Sequence, residues 1–225
     1  MSAGRQRRSY RRMSTLEYLV KKFNLDISPK PPVEIHNINR TIMAETLAEL
    51  NFKVGAEIGV AQGSHALMLC QKIPGLKLYC VDIWDRYAGF NEYTDRIDKY
   101  FLEAKEKLKT YNAVMVKKFS MDAVKDFADN SLDFVYIDAA HDFKNVTDDV
   151  CEWSKKVRVG GIVFGHDYKS QSKGRYVRDV KYVIPSYCYA KGIRPWFVLT
   201  SDIKDPVFGW DNPGWLFVRQ ETDRL

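Results

Sequence analysis

The sequence predicts an α/β fold built around a mostly parallel β-sheet. Short apolar strands alternate with amphipathic helices along most of the 225-residue chain, and such alternation is typical of parallel sheets with right-handed crossovers. The run Leu132–Ile137 is almost continuously apolar, as expected for a strand that is covered on both faces. A hydrophobic content of 45% and a charged content of 28% are ordinary for a globular protein.

The chain is predicted to have three parts. Thr15–Phe23 and Asn39–Leu50 carry apolar residues at helical spacing, whereas the prolines between them predict an extended connector over Asp26–Val33. A regular strand–helix pattern starts only after these helices. The predicted parts are an arginine-rich, disordered tail (1–13), an N-terminal helical segment (14–53) and an α/β domain (54–225).

Seven strands are predicted in the α/β domain. Only a loop separates the last two, so we expect them to form an antiparallel hairpin at one edge of the sheet. Pro185 lies inside the last predicted helix and is expected to kink or end it. The predicted strands are Val54–Val60, Leu76–Ile83, Ala113–Lys118, Leu132–Ile137, Gly161–Gly165, Trp196–Thr200 and Trp215–Arg219. The predicted helices are Ser64–Lys72, Glu92–Lys109, Met121–Phe127, Phe143–Lys156 and Gly174–Ala190.

Charge and cysteine content disfavour several classes of protein. The formal net charge is +6, but five arginines lie in the tail, so the folded part is only weakly basic and nucleic-acid binding is not favoured. The tail is either solvated or bound to phosphate or another polyanion. The four cysteines form no CxxC pair, which disfavours a zinc site and indicates free thiols in a reducing, cytoplasmic compartment. No apolar run approaches the ~20 residues that span a bilayer, so no membrane partner is expected.

A ligand site is expected at the carboxyl ends of the parallel strands. Gly59 and Gly63 follow the first strand, where they allow a tight turn and the close approach of a ligand. Their spacing lacks the middle glycine of the GxGxxG fingerprint, which disfavours NAD. Asp82 ends the second strand, where it either accepts the ribose hydroxyls of a nucleoside or serves as a cap or surface charge. Ser120 and Met121 follow the third strand and either contact an adenine ring or cap the short helix there.

Acidic and imidazole side chains follow the next two strands. Asp138 ends the fourth strand, and His166 and Asp167 end the fifth. Two carboxylates with an imidazole can hold a divalent ion, although imidazole suits manganese, iron or zinc better than magnesium. The alternative is that both aspartates bind substrate or cap local turns. His141 lies three residues after Asp138 and either takes a proton from a hydroxyl or caps the following helix.

These motifs, taken in order, resemble those of class I S-adenosylmethionine-dependent methyltransferases. The matching runs are Glu57-Ile58-Gly59-x-x-x-Gly63, Val81-Asp82, Asp133 to His141, and Gly160-Gly161-x-x-x-Gly165-His166-Asp167-Tyr168. Within that class the chain resembles the small-molecule O-methyltransferases related to catechol O-methyltransferase, and more closely the bacterial sugar and macrolide O-methyltransferases and the cephalosporin-hydroxylase-like group. The resemblance covers roughly Val54 to Tyr168 and implies a Rossmann-like fold with a mostly parallel, seven-stranded sheet.

The resemblance also implies roles for the residues at the strand ends. S-adenosylmethionine is the implied cofactor, with Glu57 and the glycine turn at its methionine end. Acidic residues at the fourth and fifth strand ends bind magnesium in the sugar enzymes, so a divalent ion, magnesium or manganese, is implied here. His166 departs from that pattern, because an acid often stands there. His141 matches the histidine, three positions after the metal-binding aspartate, that serves as the general base in the resembling macrolide sugar enzymes. The predicted cofactor set is Glu57, Gly59, Gly63, Asp82, Ser120, Met121 and Asp138, and the predicted metal set is Asp138, His166 and Asp167.

The leading hypothesis is therefore a methyltransferase that acts, with the help of a metal, on a hydroxyl of a sugar or another small molecule. A homo-oligomer is compatible with the sequence. One alternative is a nucleic-acid or protein methyltransferase, although the Asn/Asp-Pro-Pro-aromatic motif of base N-methylating enzymes does not follow the fourth strand. Another alternative is a non-catalytic, cofactor-binding subunit, which the combination of His141 with Asp138 and Asp167 disfavours.

Overall fold

The computed structural model describes residues 13–86, 96–170 and 177–225. The predicted tail lies outside these ranges except for Met13, as do the predicted starts of two helices at Glu92 and Gly174. The strands are β1 (Val33–Ile35), β2 (Val54–Ile58), β3 (Lys77–Asp82), β4 (Ala113–Lys117), β5 (Leu132–Ile137), β6 (Val157–Gly165), β7 (Trp196–Leu199) and β8 (Gly214–Val218). The helices are α1 (Thr15–Lys22), α2 (Arg40–Glu49), α3 (Ser64–Lys72), α4 (Ile97–Leu108), α5 (Ser120–Ala123), α6 (Phe143–Lys156) and α7 (Val180–Lys191).

The strands form one sheet in the order β1-β7-β8-β6-β5-β2-β3-β4. Strands β2 to β6 run parallel to one another, whereas β8 is antiparallel to both β6 and β7. The chain changes direction across the sheet between β2 and β5, and this switch point is where α/β sheets bind ligands. The fold is thus the Rossmann-like α/β fold of class I methyltransferases, as predicted.

The described part of the sheet has eight strands, not the seven predicted. The additional strand, β1, pairs in parallel with β7 from Val33 to Ile35, where the sequence predicts only a connector that ends at Val33. Three residues are too few to show a strand period, so this pairing depends on contacts with distant β7. The β7–β8 pair is antiparallel as predicted, but β1 covers β7 and forms the sheet edge.

The N-terminal helical segment packs directly on the sheet. Leu19 of α1 and Leu47 of α2 are fully buried and belong to the core on one face of the sheet. Ser14 caps α1 in a capping box with Glu17, and the Thr15 hydroxyl donates to the Gly160 carbonyl at 2.6 Å. These contacts join both helices to the α/β domain through one hydrophobic core.

The last helix continues past its proline. Pro185 lies inside α7, which ends only at Lys191 with Gly192 in the left-handed conformation as its cap. Ile184 and Cys188 are almost fully buried on this helix, so packing on the sheet offsets the single backbone hydrogen bond that proline cannot make. Of the two predicted effects of Pro185, an end to the helix is therefore wrong, and a kink stays a prediction. No helix in the described ranges is long and apolar enough to cross a membrane.

The end of β2 lies directly against the end of β5. Gly59 has a φ of +89°, and a Cβ at this position would lie 2.3 Å from the Asp138 carbonyl oxygen and 2.6 Å from the Ala139 Cα. The Gly59 amide also donates to the Val81 carbonyl of β3 at 2.9 Å. Only glycine satisfies both the backbone conformation and the close approach.

We expect Gly59→Ala to lower the free energy of unfolding by roughly 2–4 kcal/mol, because left-handed backbone strain and a backbone clash add together. Gly75→Ala is a matched control, since Gly75 has a φ of +72° but nothing lies within 4 Å of its added Cβ. It should cost only the strain, about 1–2 kcal/mol. Urea unfolding of both variants measures the difference. Equal losses would show that the contact with β5 does not constrain this position.

Candidate active site

A cavity of about 420 Å³ lies over the carboxyl ends of β2 to β6. This volume is in the range of small-molecule and cofactor pockets, about 300–1,000 Å³. The cavity brings together nearly all of the predicted site residues, although they are spread over more than a hundred positions of the chain. Its lining includes Glu57, Gly59, Asp82, Ser120, Met121, Asp138, His141, His166 and Asp167.

Gly63 is the predicted site residue that the cavity lining does not include. It precedes α3 with a φ of +76°, and an added Cβ would lie 2.9 Å from the Ala104 Cα of α4. Gly63 therefore allows α3 and α4 to pack closely, and its predicted contact with a cofactor stays a prediction.

Asp82 holds the glycine turn in place. Its Oδ2 accepts hydrogen bonds from the amides of Val60 and Ala61, both at 2.9 Å. Its Oδ1 accepts from the Trp84 amide, also at 2.9 Å, and the Trp84 indole donates to the Ala61 carbonyl at 2.8 Å. The carboxylate thus orders the loop that a ligand would approach, and the predicted ribose contact stays a prediction.

A buried acid and imidazole lie side by side at the end of β2. Glu57 Oε2 lies 3.3 Å from Nδ1 of His65, and both side chains are almost fully buried. Burial raises the pKa of the Glu57 carboxyl, and His65 offsets this only in part. The His65 ring also packs 4.1 Å from the Tyr136 ring, centroid to centroid. His65 has no recognised motif around it, and the sequence did not indicate its contact with Glu57.

Three predicted residues meet at the ends of β5 and β6. His141 Nε2 lies 3.3 Å from Asp138 Oδ1 and 3.2 Å from Asp167 Oδ2. One ligand atom from each of the three lies within 4.8 Å of the others, a spacing that a metal ion can bridge. Burial alone would raise the pKa of Asp138, but His166, His141 and Arg40 hold it well below its usual value. Asp167 has a φ of +52°, a strained conformation that is often found at functional sites.

The two ring nitrogens of His166 face different carboxylates. Nε2 of His166 lies 2.7 Å from Asp211 Oδ1, while Nδ1 lies 3.6 Å from Asp167 Oδ1 and 3.9 Å from Asp138 Oδ1. A carboxylate only accepts hydrogen bonds, so Nε2 carries the hydrogen in the bond with Asp211, and Nδ1 is the ring nitrogen that faces Asp138 and Asp167. The histidine in the compact cluster with Asp138 and Asp167 is therefore His141. The predicted metal set instead paired these two aspartates with His166, which lies slightly farther from them.

An arginine network supports this end of the cavity, and sequence reasoning missed it. Arg40, at the start of α2, donates to Asp211 from Nε at 2.5 Å and from Nη2 at 2.8 Å, and its guanidinium stacks 4.2 Å from the Phe208 ring centroid. Burial would raise the pKa of Asp211, yet its hydrogen bonds with Arg40 and His166 hold it well below its usual value. Arg178 donates to Asp167 Oδ2 at 3.1 Å. No local motif marks these residues.

Ser120 does not cap the helix that it begins. The residue before α5 is Phe119, which makes no side-chain capping bond, so the capping alternative for Ser120 is wrong. The Ser120 hydroxyl instead donates to Asp149 Oδ1 and accepts from the Trp153 indole at 2.8 Å. Burial raises the pKa of Asp149 to about 7, although the Ser120 hydrogen bond lowers it in part. Asp149 also lines the cavity, and nothing in the sequence around it marks it as a site residue.

About half of the chain, including most of the cavity lining, matches a known protein family. Residues 56–168, which contain both the glycine turn and the His141 loop, match a family model described as a methyltransferase domain. A curated relative, the uncharacterized protein y4gI of Sinorhizobium fredii (strain NBRC 101917 / NGR234), is 26% identical over 124 residues, which is 52% of this chain and 13% of that protein. The chain therefore matches only a small part of this relative's length.

Solved structures share the fold at low sequence identity. An O-methyltransferase from Bacillus cereus in complex with SAH superposes with a TM-score of 0.59 at 15% identity, covering 91% of this chain and 90% of that one. The O-methyltransferase TomG from Streptomyces achromogenes, in complex with SAM, gives a TM-score of 0.58 at 15% identity, covering 89% and 86%. With half of its residues matched by the family model and with this fold, the chain belongs to the methyltransferase-domain family.

Proposed function

We propose that this protein is an S-adenosylmethionine-dependent methyltransferase that methylates a hydroxyl of a sugar or another small molecule. One observation carries the proposal. Asp138, His141 and Asp167 converge at the ends of β5 and β6 and face the same cavity as the glycine turn after β2. The SAH and SAM complexes of the structural neighbours support the choice of cofactor.

The glycine turn and its neighbours form the proposed cofactor half of the cavity. A carboxylate offers about four acceptor positions, and loop amides occupy three of those of Asp82. The remaining position is available to a ribose hydroxyl. Glu57 and His65 lie at the end of β2, closer to the reacting groups, where an acid can receive the ammonium group of the methionine part. S-adenosylmethionine supplies the methyl group of the reaction.

The residues at the reacting end fit a divalent ion. Nδ1 of His166 lies 3.6 Å from Asp167 Oδ1 and 3.9 Å from Asp138 Oδ1, so these three side chains offer two oxygen ligands and one nitrogen ligand close together. Asp138, Asp167 and Nδ1 of His166 would hold the ion, a mixed oxygen and nitrogen set that suits manganese better than magnesium. A bound divalent ion lowers the pKa of a coordinated hydroxyl and orients it.

His141 is the proposed base. A hydroxyl must lose its proton as its oxygen attacks the methyl carbon, and imidazole is suited to accept it near neutral pH. The His141 ring would receive that proton, and the carboxylates of Asp138 and Asp167, which lie 3.3 and 3.2 Å from its Nε2, would stabilise the resulting imidazolium. The Asp211 hydrogen bond keeps His166 in the orientation of a ligand, so the two histidines have separate roles.

The cofactor assignment predicts that S-adenosylhomocysteine binds with micromolar affinity and that Asp82→Asn weakens this binding at least tenfold, roughly, since the variant loses a charge-assisted hydrogen bond and loosens the loop. Isothermal titration calorimetry measures both values. Asp85→Asn is the control, because Asp85 is exposed and outside the cavity lining. Binding of NAD but not of S-adenosylhomocysteine to the wild type would refute the assignment.

The metal assignment predicts that Asp167→Asn weakens manganese binding at least about tenfold while leaving S-adenosylhomocysteine affinity unchanged, because a neutral amide is a poorer ligand for a hard cation. Calorimetric titration with manganese chloride tests this. The exposed Asp129, which pairs with Lys156 at 2.8 Å, provides the control variant Asp129→Asn. Equal manganese affinity in the wild type and in both variants would remove the metal from the proposal.

The base assignment predicts that His141→Ala lowers the methylation rate by roughly 10²–10⁴-fold, the usual contribution of a general base, and retains both manganese and S-adenosylhomocysteine binding. Formation of S-adenosylhomocysteine over a panel of hydroxylated acceptors measures the rate. His36→Ala is the control, since the His36 side chain is 70% exposed. Loss of manganese binding in His141→Ala would instead make His141 a ligand, and an unchanged rate would exclude it from the chemistry.

A further inference from the structure

We propose that Asp149, together with Ser120, recognises the exocyclic amino group of the cofactor's adenine and makes the site select adenosyl over inosyl ligands. The inference rests on the proposed cofactor. It adds Asp149, from the middle of α6, as a residue that recognises the cofactor but takes no part in the proposed methyl transfer.

Asp149 is a buried carboxyl that lines a cavity without a compensating cation. Asp149 is only 3% exposed, yet it forms part of the cavity wall, as do Ser120 and Met121. Among the described residues, no lysine, arginine or histidine lies within ion-pair distance of it, and the nearby acids Asp148 and Asp142 disfavour its charge further. A buried carboxyl without a charged partner is costly, so a bound group that donates to it would gain from the contact.

The hydrogen-bond chain around Ser120 has only one direction. The Trp153 indole N–H can only donate, so the Ser120 oxygen accepts at 2.8 Å. The single Ser120 hydroxyl hydrogen is then committed to Asp149 Oδ1. Asp149 Oδ2 makes no hydrogen bond within the part of the chain that the structure describes. When Asp149 is ionised, its carboxylate and the Ser120 oxygen can only accept hydrogen bonds from a ligand, so the pair then selects a ligand that donates.

The sheet topology places the cofactor's base at this end of the cavity. The proposed ribose acceptor, Asp82, ends β3, and the reacting groups lie at the ends of β5 and β6. Strand β4 lies on the other side of β3 from these groups, and Ser120 follows β4 after two residues. A nucleoside whose ribose lies at β3 and whose methyl group points toward β5 must direct its base toward β4. Adenine carries an amino donor at its 6-position, whereas hypoxanthine carries a carbonyl acceptor there.

Calorimetry with S-adenosylhomocysteine and S-inosylhomocysteine tests the inference in the full-length protein. The wild type should prefer the adenosyl ligand at least tenfold, roughly, the effect of one charge-assisted hydrogen bond. Asp149→Ala should bind the adenosyl ligand about tenfold more weakly and bring the ratio of the two affinities close to one. The ratio is the decisive readout, because a general loosening of the pocket weakens both ligands alike. Asp129→Asn, remote from the cavity, should keep the wild-type ratio.

Each outcome decides between the proposals. A wild type that binds both ligands equally, or an Asp149→Ala variant with the wild-type ratio, overturns the role of Asp149 and leaves the proposed methyltransferase function intact. A wild type that binds neither ligand overturns the function and, with it, this inference. If thermal melting shows that Asp149→Ala does not fold, Ser120→Ala decides in its place: the ratio must fall at least about threefold, since the acceptor loses the bond that orients it, and an unchanged ratio overturns the inference.

Discussion

The direct backbone contact between Gly59 and Asp138 is the constraint on which the rest of the cavity depends. The Asp138 amide donates to the Ile58 carbonyl at 2.8 Å, and the Gly59 amide donates to Val81 at 2.9 Å, so three strand ends are joined within one turn. The proposed cofactor loop and the proposed reacting carboxylate therefore belong to one rigid surface. A transfer reaction that depends on alignment of donor and acceptor gains from such fixed geometry.

The reacting end of the cavity also has to keep several acids ionised inside the protein. Asp138, Asp167 and Asp211 supply three carboxylates, and Arg40 and Arg178 supply two guanidinium groups in contact with them. Burial opposes ionisation, but His166, His141 and Arg40 hold the pKa of Asp138 low, and Arg40 and His166 hold that of Asp211 low. The three carboxylates outnumber the two guanidinium groups by one, which makes the cluster attractive to a cation.

The sequence predicts the parts of this molecule that depend on local signals. An apolar run that stops at an acid identifies the ends of β3 and β5, and the parallel topology then brings Asp82 and Asp138 to one edge of the sheet. Arg40 and Asp211 could not be found in this way, because they meet over 171 positions of the chain. The role of Asp149 could not be predicted for a different reason. In the sequence of α6 it is an ordinary polar residue, and only the tertiary structure shows that it is buried and bonded to Ser120. The same limit applies to β1, whose pairing with β7 depends on tertiary contacts.

The arrangement of the two histidines favours a hydroxyl acceptor over an amine. A neutral amine attacks a methyl group without prior loss of a proton, so a base contributes little to its reactivity, and paired carboxylates would hold the amine in its unreactive, protonated form. A hydroxyl needs the opposite conditions: a base within reach and acids that stabilise the base once it is protonated. His141 has both carboxylates within 3.3 Å, whereas His166 is committed to Asp211. The proposed division of the two imidazoles between proton transfer and support is thus the feature that connects this cavity to the proposed methylation of an oxygen.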